Sequence, residues 1–312
     1  IVLMVAMGLK DRSVVVMGLG HFGGGIGVTR WLVQEGALVT VTDKATPDKL
    51  ADSLNQVRHL PIKIHIGGHD PADLDGCDLL VVSPAIDKAL SEFVQEAQRR
   101  DIRITSEMNL FLERCPARRI IGITGSAGKS TTTAMIGEIL QGWAKSHHCS
   151  RVWVGGNIGR SLLDDLEVIA SDDIVVLELS SFQLEDMAEL RWSPPFSVIT
   201  NIEPNHLDRH GTLEAYADAK LNIIRYQRPD GLIFIQAGNG ALAERVRQAG
   251  GAERLRRFTF DPSFAECLQI PGRHNQENAA AAIAVARSVG VSDEWIRQGL
   301  KSFKGLPHRL EF

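Results

Sequence analysis

The stretch Ile120 to Thr133, reading IIGITGSAGKSTTT, constrains this chain more than any other. An apolar run (Ile120, Ile121, Ile123) leads into a glycine turn, and Lys129-Ser130 opens the next segment. A strand, a tight turn and a helix in that order present backbone N–H groups and the positive helix end to a phosphate. The lysine then reaches the terminal phosphates and the Ser130 hydroxyl a magnesium ion. The spacing departs from the common P-loop, because the glycine expected five residues before Gly128 is Ile123. The loop is the shorter Gly125-Ser126-Ala127-Gly128-Lys129-Ser130, preceded by Thr124. A plain glycine turn before a helix is the competing reading, and it leaves the Gly-Lys-Ser-Thr run unexplained.

Around this loop the chain reads as ordinary α/β material. Its 312 residues suggest about two domains, and 44% hydrophobic with 23% charged residues is enough to bury real cores. A net charge of −4 argues against a dedicated nucleic-acid binder, so no nucleic-acid partner is expected. Cys77, Cys115, Cys149 and Cys267 are far apart with no CxxC pair, which fits a reduced cytoplasmic protein. The apolar start, Ile1 to Leu9, is too short to span a bilayer and no other run is longer, so no membrane partner is expected.

Val14 to Met17 is a short apolar strand ending at Gly18-Leu19-Gly20-His21-Phe22-Gly23. A helical stretch to about Gln34 and a second strand, Leu38 to Thr42, complete a βαβ unit with Asp43 at its end. GxGxxG with an acid some twenty residues on is the dinucleotide fingerprint. Alone it is a weak signal, since any tight strand-to-helix turn needs small residues; a nucleotide diphosphate at the helix N-terminus fits better than NAD. Further strands follow at Leu79–Ser83 and Ile102–Thr105. A helix over Ala89–Arg99 has Leu90, Phe93, Val94 and Ala97 on one face, and Glu107–Glu113 reads as another. The polar cluster Arg114 to Arg119 is the best boundary, giving domains 1–116 and 117–312. The alternation predicts an α/β fold with a Rossmann-like first domain and a mostly parallel sheet in the P-loop domain.

In the second half, strands over Ile174–Leu177 and Ser197–Asn201 deliver Glu178 and His206 at or just beyond their carboxyl ends, where open α/β sheets bind ligands. Magnesium takes oxygen ligands, few of them from protein, so Glu178 is a natural candidate. Each residue by itself has a structural alternative, Glu178 as a helix cap and His206 as a fold residue. Lys220 falls on a helix over Leu213–Gln227, where a surface lysine is the plain reading. Pro271 to Asn278 opens a helix that is almost pure alanine from Ala279 to Ala286, a face small enough to pack very close to its neighbours.

Taken together, TGSAGKST (124–131), GGNIG (155–159), LELSSFQL (177–184), NHLDRHGTLEAY (205–216), GRHNQENAAAA (272–282) and GLPHRLE (305–311) resemble the Mur ligases, the ATP-dependent amino-acid-adding enzymes of peptidoglycan synthesis. The pieces recur in that family's order over most of residues 14–312, and LELSSFQL resembles its D-glutamate-adding branch. The resemblance implies a Rossmann-like domain for a UDP-sugar, here UDP-N-acetylmuramoyl-L-alanine, and a central ATPase domain. A third domain would bring D-glutamate. ATP would phosphorylate the sugar-linked carboxylate, and the amine would displace phosphate.

Residue by residue, the resemblance implies ATP contacts from Gly125, Ser126, Gly128, Lys129, Ser130 and Thr131, from Asn275 and Asn278 at the adenine, and from Arg309. Magnesium would be held by Ser130, Glu178, His206 and Lys220, the last as a carbamate. Lys129, His206 and Lys220 would carry the catalysis. The UDP-substrate would meet Gly18, Gly20, His21, Phe22, Gly23, Lys44 and Ser83, and further along Asn157, Ser180 and Gln183. Ser83-Pro84-Ala85 departs from the family's Ser-Pro-Gly. Another Mur or folylpolyglutamate-type ligase, and a non-catalytic UDP-sugar or nucleotide binder, are the alternatives. The chain reaches Phe312 just past GLPHR without a third domain, so a cytoplasmic monomer that binds both nucleotides but does not ligate alone is the expectation.

Overall fold

The computed structural model describes residues 7–20, 23–147 and 150–306. Two compact units divide the chain: residues 1–115 with 159–168, and residues 116–158 with 169–312.

In the first unit the apolar runs form a five-stranded sheet of β1 (Ser13–Met17), β2 (Leu38–Asp43), β3 (Lys63–Ile66), β4 (Leu79–Val82) and β5 (Arg103–Thr105), in the order β3-β2-β1-β4-β5. Every pairing is parallel. Four helices accompany it: α1 (Gly24–Gln34), α2 (Ala51–Val57), α3 (Glu92–Arg99) and α4 (Glu107–Arg114). Val15, Met17, Leu80 and Val82 pack against Phe93, Val94 and Ala97 of α3. Leu90 does not join them: α3 begins only after the Ser91 cap, and Leu90 is 80% exposed. The Ser91 hydroxyl satisfies the Val94 N–H, a start signal that outweighs the apolar spacing of Leu90. The helix α2 and the strand β3 carry too little apolar periodicity to be read from sequence, and β3 is an edge strand with half-exposed side chains.

The segment 159–168 closes this unit. Leu162 and Leu163 are buried, its short helical turn packs on α1 and α4, and the Ser161 hydroxyl donates to the Glu107 carboxylate. A Cβ on Gly27 would lie 2.4 Å from the Ser161 Cβ, so α1 needs glycine where this segment crosses it. Burial pushes the Glu107 carboxyl from its ordinary 4.5 up to about 7; the Ser161 hydrogen bond opposes the shift and the Asp164 charge adds to it. A raised carboxyl pKa makes the fold favour the protonated form, so stability falls as pH rises from 4.5 through 7 and the cost is complete above that. Glu107→Gln keeps the acceptor without the charge. It is expected to raise the melting temperature at pH 8, by up to about 3 kcal/mol in stability, and to change little at pH 4. An equal shift at both pH values would refute the assignment.

The second unit holds six parallel strands: β6 (Arg119–Thr124), β7 (Val152–Gly156), β8 (Ile174–Glu178), β9 (Phe196–Ile199), β10 (Leu232–Gln236) and β11 (Leu255–Phe258), in the order β11-β10-β9-β6-β8-β7. The helices are α5 (Lys129–Ser146), α6 (Ser181–Glu189), α7 (Leu207–His210), α8 (Leu213–Arg225), α9 (Gly240–Gln248), α10 (Arg273–Ser288) and α11 (Asp293–Ser302). The alanine run does what its size allows, with Ala279 to Ala282 buried in the core against α5. A Cβ on Gly299 of α11, which also packs on α5, would lie 2.6 Å from the Ile139 Cα, so that approach too depends on a missing side chain. Cys77, Cys115 and Cys267 are unbridged. Among the described residues no helix is long and apolar enough to cross a membrane.

Candidate active site

Register in the second sheet assembles the site. Ile123 pairs with Glu178, Thr124 with Ile199, and Gly156 with Glu178, so four strands end level with one another. Their carboxyl ends deliver the phosphate loop, Glu178, Asn157 and the Thr200-Asn201 pair to one edge, with central β6 flanked by β8 and β9. In open parallel sheets this edge is where ligands bind.

The loop conformation depends on two glycines. Gly125 has φ +155° and a Cβ there would meet the Thr200 hydroxyl at 1.9 Å; Gly128, the residue before α5, has φ +82°. Such values are open to glycine and strained for other residues. Thr132 on the first turn of α5 donates to the Asn278 Oδ1 at 3.3 Å, and the Asn278 Nδ2 donates in turn to the Asn275 Oδ1 at 3.5 Å. Asn275 and Asn278 are both buried at the N-terminus of α10, so the two helix starts meet beside the loop. The Lys129 ammonium lies back over the loop and donates to the Gly125 carbonyl at 3.0 Å. Ser130 and Thr131 stand half-buried on the first turn of α5.

Glu178 is 2% exposed. Its Oε1 accepts from the Asn157 Nδ2 at 2.8 Å, and its Oε2 is buried without a hydrogen-bond partner. A buried carboxylate oxygen left unpaired costs free energy unless a cation or donor completes it. Glu178 is not the cap of α6. That role belongs to Ser180, whose hydroxyl accepts from the Gln183 N–H while the Gln183 side chain accepts from the Ser180 N–H. The Ser-x-x-Gln spacing was the available signal for that helix start.

Lys220 is 1% exposed, no surface lysine. Its ammonium donates to the Gly125 carbonyl at 2.9 Å and lies 4.5 Å from the centre of the Tyr216 ring. Burial, reinforced by repulsion from Lys129 and opposed by Glu178, brings its pKa from 10.5 down to about 7. Tyr216 extends the cluster, its hydroxyl 3.2 Å from the Ser126 hydroxyl. Apolar periodicity gives no sign of this polar contact.

His206 has φ +50°, an uncommon conformation for a non-glycine residue, and is exposed at the start of α7. Its ring lies 5.3 Å from that of Phe182 and 6.4 Å from that of Tyr216. His210 stacks on Phe182 and hydrogen-bonds the Ser181 hydroxyl at 2.9 Å. Burial, with the nearby positive charges of His206, Lys220 and Arg209, lowers its pKa and favours the neutral ring. Among the described residues, no three His, Cys, Asp or Glu side chains gather at metal-binding distance. A magnesium site built from Ser130, Glu178 and a modified Lys220 would take only Glu178 from that set and its other donors from outside it. The buried, unpaired Glu178 Oε2 fits it.

In the first unit, Gly18, Gly20 and Gly23 all take positive φ around the turn into α1. Asp43, the acid after β2, accepts the N–H groups of Leu19 (2.9 Å) and Gly20 (3.2 Å) through one oxygen and that of Ala45 through the other. It therefore shapes the glycine loop itself. Lys44 is exposed beside it, and Ser83 lies against Gly18, where a Cβ would come within 2.8 Å of the serine Cβ. His21, Phe22 and Arg309 lie outside the described residues.

Comparison with known proteins agrees with this geometry. The MurD-like N-terminal domain of Mur ligases matches residues 12–106 and the Mur ligase middle domain residues 123–265. A UDP-N-acetylmuramoylalanine–D-glutamate ligase of Roseiflexus sp. (strain RS-1) is 38% identical over 98% of this chain and 70% of its own length. One from Symbiobacterium thermophilum is 34% identical over 99% and 70%. In structure, the UDP-N-acetylmuramate:L-alanyl-gamma-D-glutamyl-meso-diaminopimelate ligase from Neisseria meningitides shares the fold, with a TM-score of 0.69 and 19% identity over 95% of this chain and 99% of that one. With both domain types matched in order and relatives above 30% identity along nearly the whole chain, the chain belongs to the Mur ligase family, in its UDP-N-acetylmuramoylalanine–D-glutamate ligase branch.

Proposed function

We propose that the chain carries the ATP-dependent activation half of D-glutamate addition to UDP-N-acetylmuramoyl-L-alanine, a step of peptidoglycan synthesis. The observation that carries this reading is the Glu178–Lys220–Lys129 cluster at the mouth of the phosphate loop. A carboxylate is a poor acyl donor, because its leaving group would be oxide. Transfer of the γ-phosphoryl group to a carboxylate oxygen breaks the terminal P–O bond of ATP and leaves ADP and an acyl phosphate. The amine of D-glutamate then forms the amide, losing a proton and expelling inorganic phosphate.

Lys129, now 3.0 Å from the Gly125 carbonyl, moves to the phosphates and stabilises the charge that spreads over the transferred group. The amides of the loop and the positive end of α5 orient the triphosphate. Asn275 and Asn278 stand beside the loop where the adenine would lie, and Arg309 would add a further positive charge. Ser130, Glu178, His206 and a carbamylated Lys220 would hold magnesium, which when bound neutralises phosphate charge as a Lewis acid. Asn157 fixes Glu178 through its side-chain amide. Carbamylation needs a neutral amine: at a pKa of about 7 roughly half of Lys220 is unprotonated at pH 7, against about one in 3,000 at 10.5. Addition of carbon dioxide to that neutral amine forms an N–C bond and releases one proton, leaving an anion; counted from the ammonium, two protons are lost. The Rossmann-like unit would hold the UDP group at the Gly18–Gly23 turn with Lys44 and Ser83, and Ser180 and Gln183 would meet the same substrate. Consumption of ATP gives this reading a cytoplasmic location.

The test is trapping. With ATP, magnesium and UDP-N-acetylmuramoyl-L-alanine, hydroxylamine should convert the acyl phosphate to a hydroxamate at a rate that depends on all three. UDP-sugar-independent ATP turnover, or no hydroxamate at all, would exclude the activation chemistry.

A further inference from the structure

The tip of the phosphate loop is held by a residue that no motif singles out. Asn201 lies just past β9, beside central β6. Its Oδ1 accepts two loop N–H groups, from Ser126 at 3.1 Å and Ala127 at 2.9 Å. Its Nδ2 donates back to the Ala127 carbonyl at 3.2 Å, and its own carbonyl accepts the Ser126 N–H at 3.1 Å. The neighbouring Thr200 hydroxyl donates to the same Ala127 carbonyl at 2.6 Å. A primary amide is the side chain that offers an acceptor and a donor on one short stem, which is what a peptide unit presented edge-on requires.

We propose that Asn201 is a positioning residue that sets the loop into its phosphate-receiving shape before nucleotide arrives. Two consequences follow from its contacts. The N–H groups of Ser126 and Ala127 are committed to protein, so past the tip of the loop the amides left to face phosphate begin at Gly128, next to Lys129. A loop with glycines at positive φ on both sides of its tip is also costly to order. Fixing it in advance removes that cost from binding and appears as affinity for the triphosphate.

This inference rests on the proposal that the loop binds ATP, and the experiment separates the two. Binding of ATP and of UDP-N-acetylmuramoyl-L-alanine is measured by calorimetry on the chain and on its Asn201→Ala, Asn201→Asp and Lys129→Ala variants, with melting temperatures alongside. Asn201→Asp is nearly isosteric and keeps both acceptor contacts while losing the donor, so it covers the case in which the alanine variant does not fold. The expected result is a tenfold or greater loss of ATP affinity in the folded Asn201 variants with UDP-sugar affinity within twofold of the parent. ATP affinity within twofold overturns the assignment. So does an equal loss for both ligands, which marks a merely structural residue. A parent chain that binds ATP no better than Lys129→Ala overturns the ATP reading instead.

Discussion

Lys129→Ala is expected to lower hydroxamate formation by two to three orders of magnitude while leaving UDP-sugar binding intact. The size follows from charge. The phosphoryl group in flight carries negative charge that only a few groups can meet, and removing one preorganised cation from such a site costs about 3–4 kcal/mol, a factor of roughly 150 to 900. Lys129 sits at the start of α5 with its ammonium over the loop. The side chain is half-buried, and the alanine variant keeps the helix. Turnover within tenfold of the parent would mean that the loop does not cradle the transferred phosphate.

The second large effect concerns Lys220. Lys220→Ala is expected to cut turnover at least a hundredfold, and the parent should show a carbamate signature that the variant lacks. The sign of the pH dependence follows from the amine. Its pKa of about 7 lies below the ordinary 10.5, so the fold is penalised for burying the ammonium increasingly as pH falls from 10.5 to 7, and fully below that. Carbamate formation follows the same curve and is lost in acid. Protein held at low pH and returned to pH 8 should regain activity faster with added bicarbonate, and carbon-13-labelled bicarbonate should give a new carbonyl resonance in the parent alone. An active Lys220→Ala variant, together with no effect of bicarbonate, would return Lys220 to an ordinary buried cation held by Gly125 and Tyr216.

Much of this site was legible because strand ends and glycine turns announce themselves. β6 with its Gly-Lys-Ser turn, β8 ending in Glu178 and the alanine helix α10 were each readable from local pattern, to within a few residues at their ends. The burial of Lys220 was not, because periodicity counts a lysine as polar whichever way it points. Asn201 was passed over for a related reason: its value lies in contacts with residues 74 and 75 positions away. Asp43 completes the dinucleotide fingerprint by its spacing, and in the structure it holds the glycine loop from within. Ser180 and Gln183 carried a capping box in plain sight. Leu90 was misplaced because an apolar spacing was allowed to run past a serine cap.

The segment 159–168 bears on how this chain is made. The first unit is not a contiguous stretch: Leu162 and Leu163 are part of what it buries, and Ser161 supplies the hydrogen bond to Glu107. A nascent chain leaving the ribosome after Cys115 therefore holds a Rossmann-like sheet with an uncovered apolar strip along α1 and α4. Closure waits until residue 168 has been synthesised, by which point β6 and the helix after it have also emerged. Translation thus couples completion of the first unit to the appearance of the phosphate loop, and a gene fragment cut at the apparent boundary would encode a surface meant to be covered.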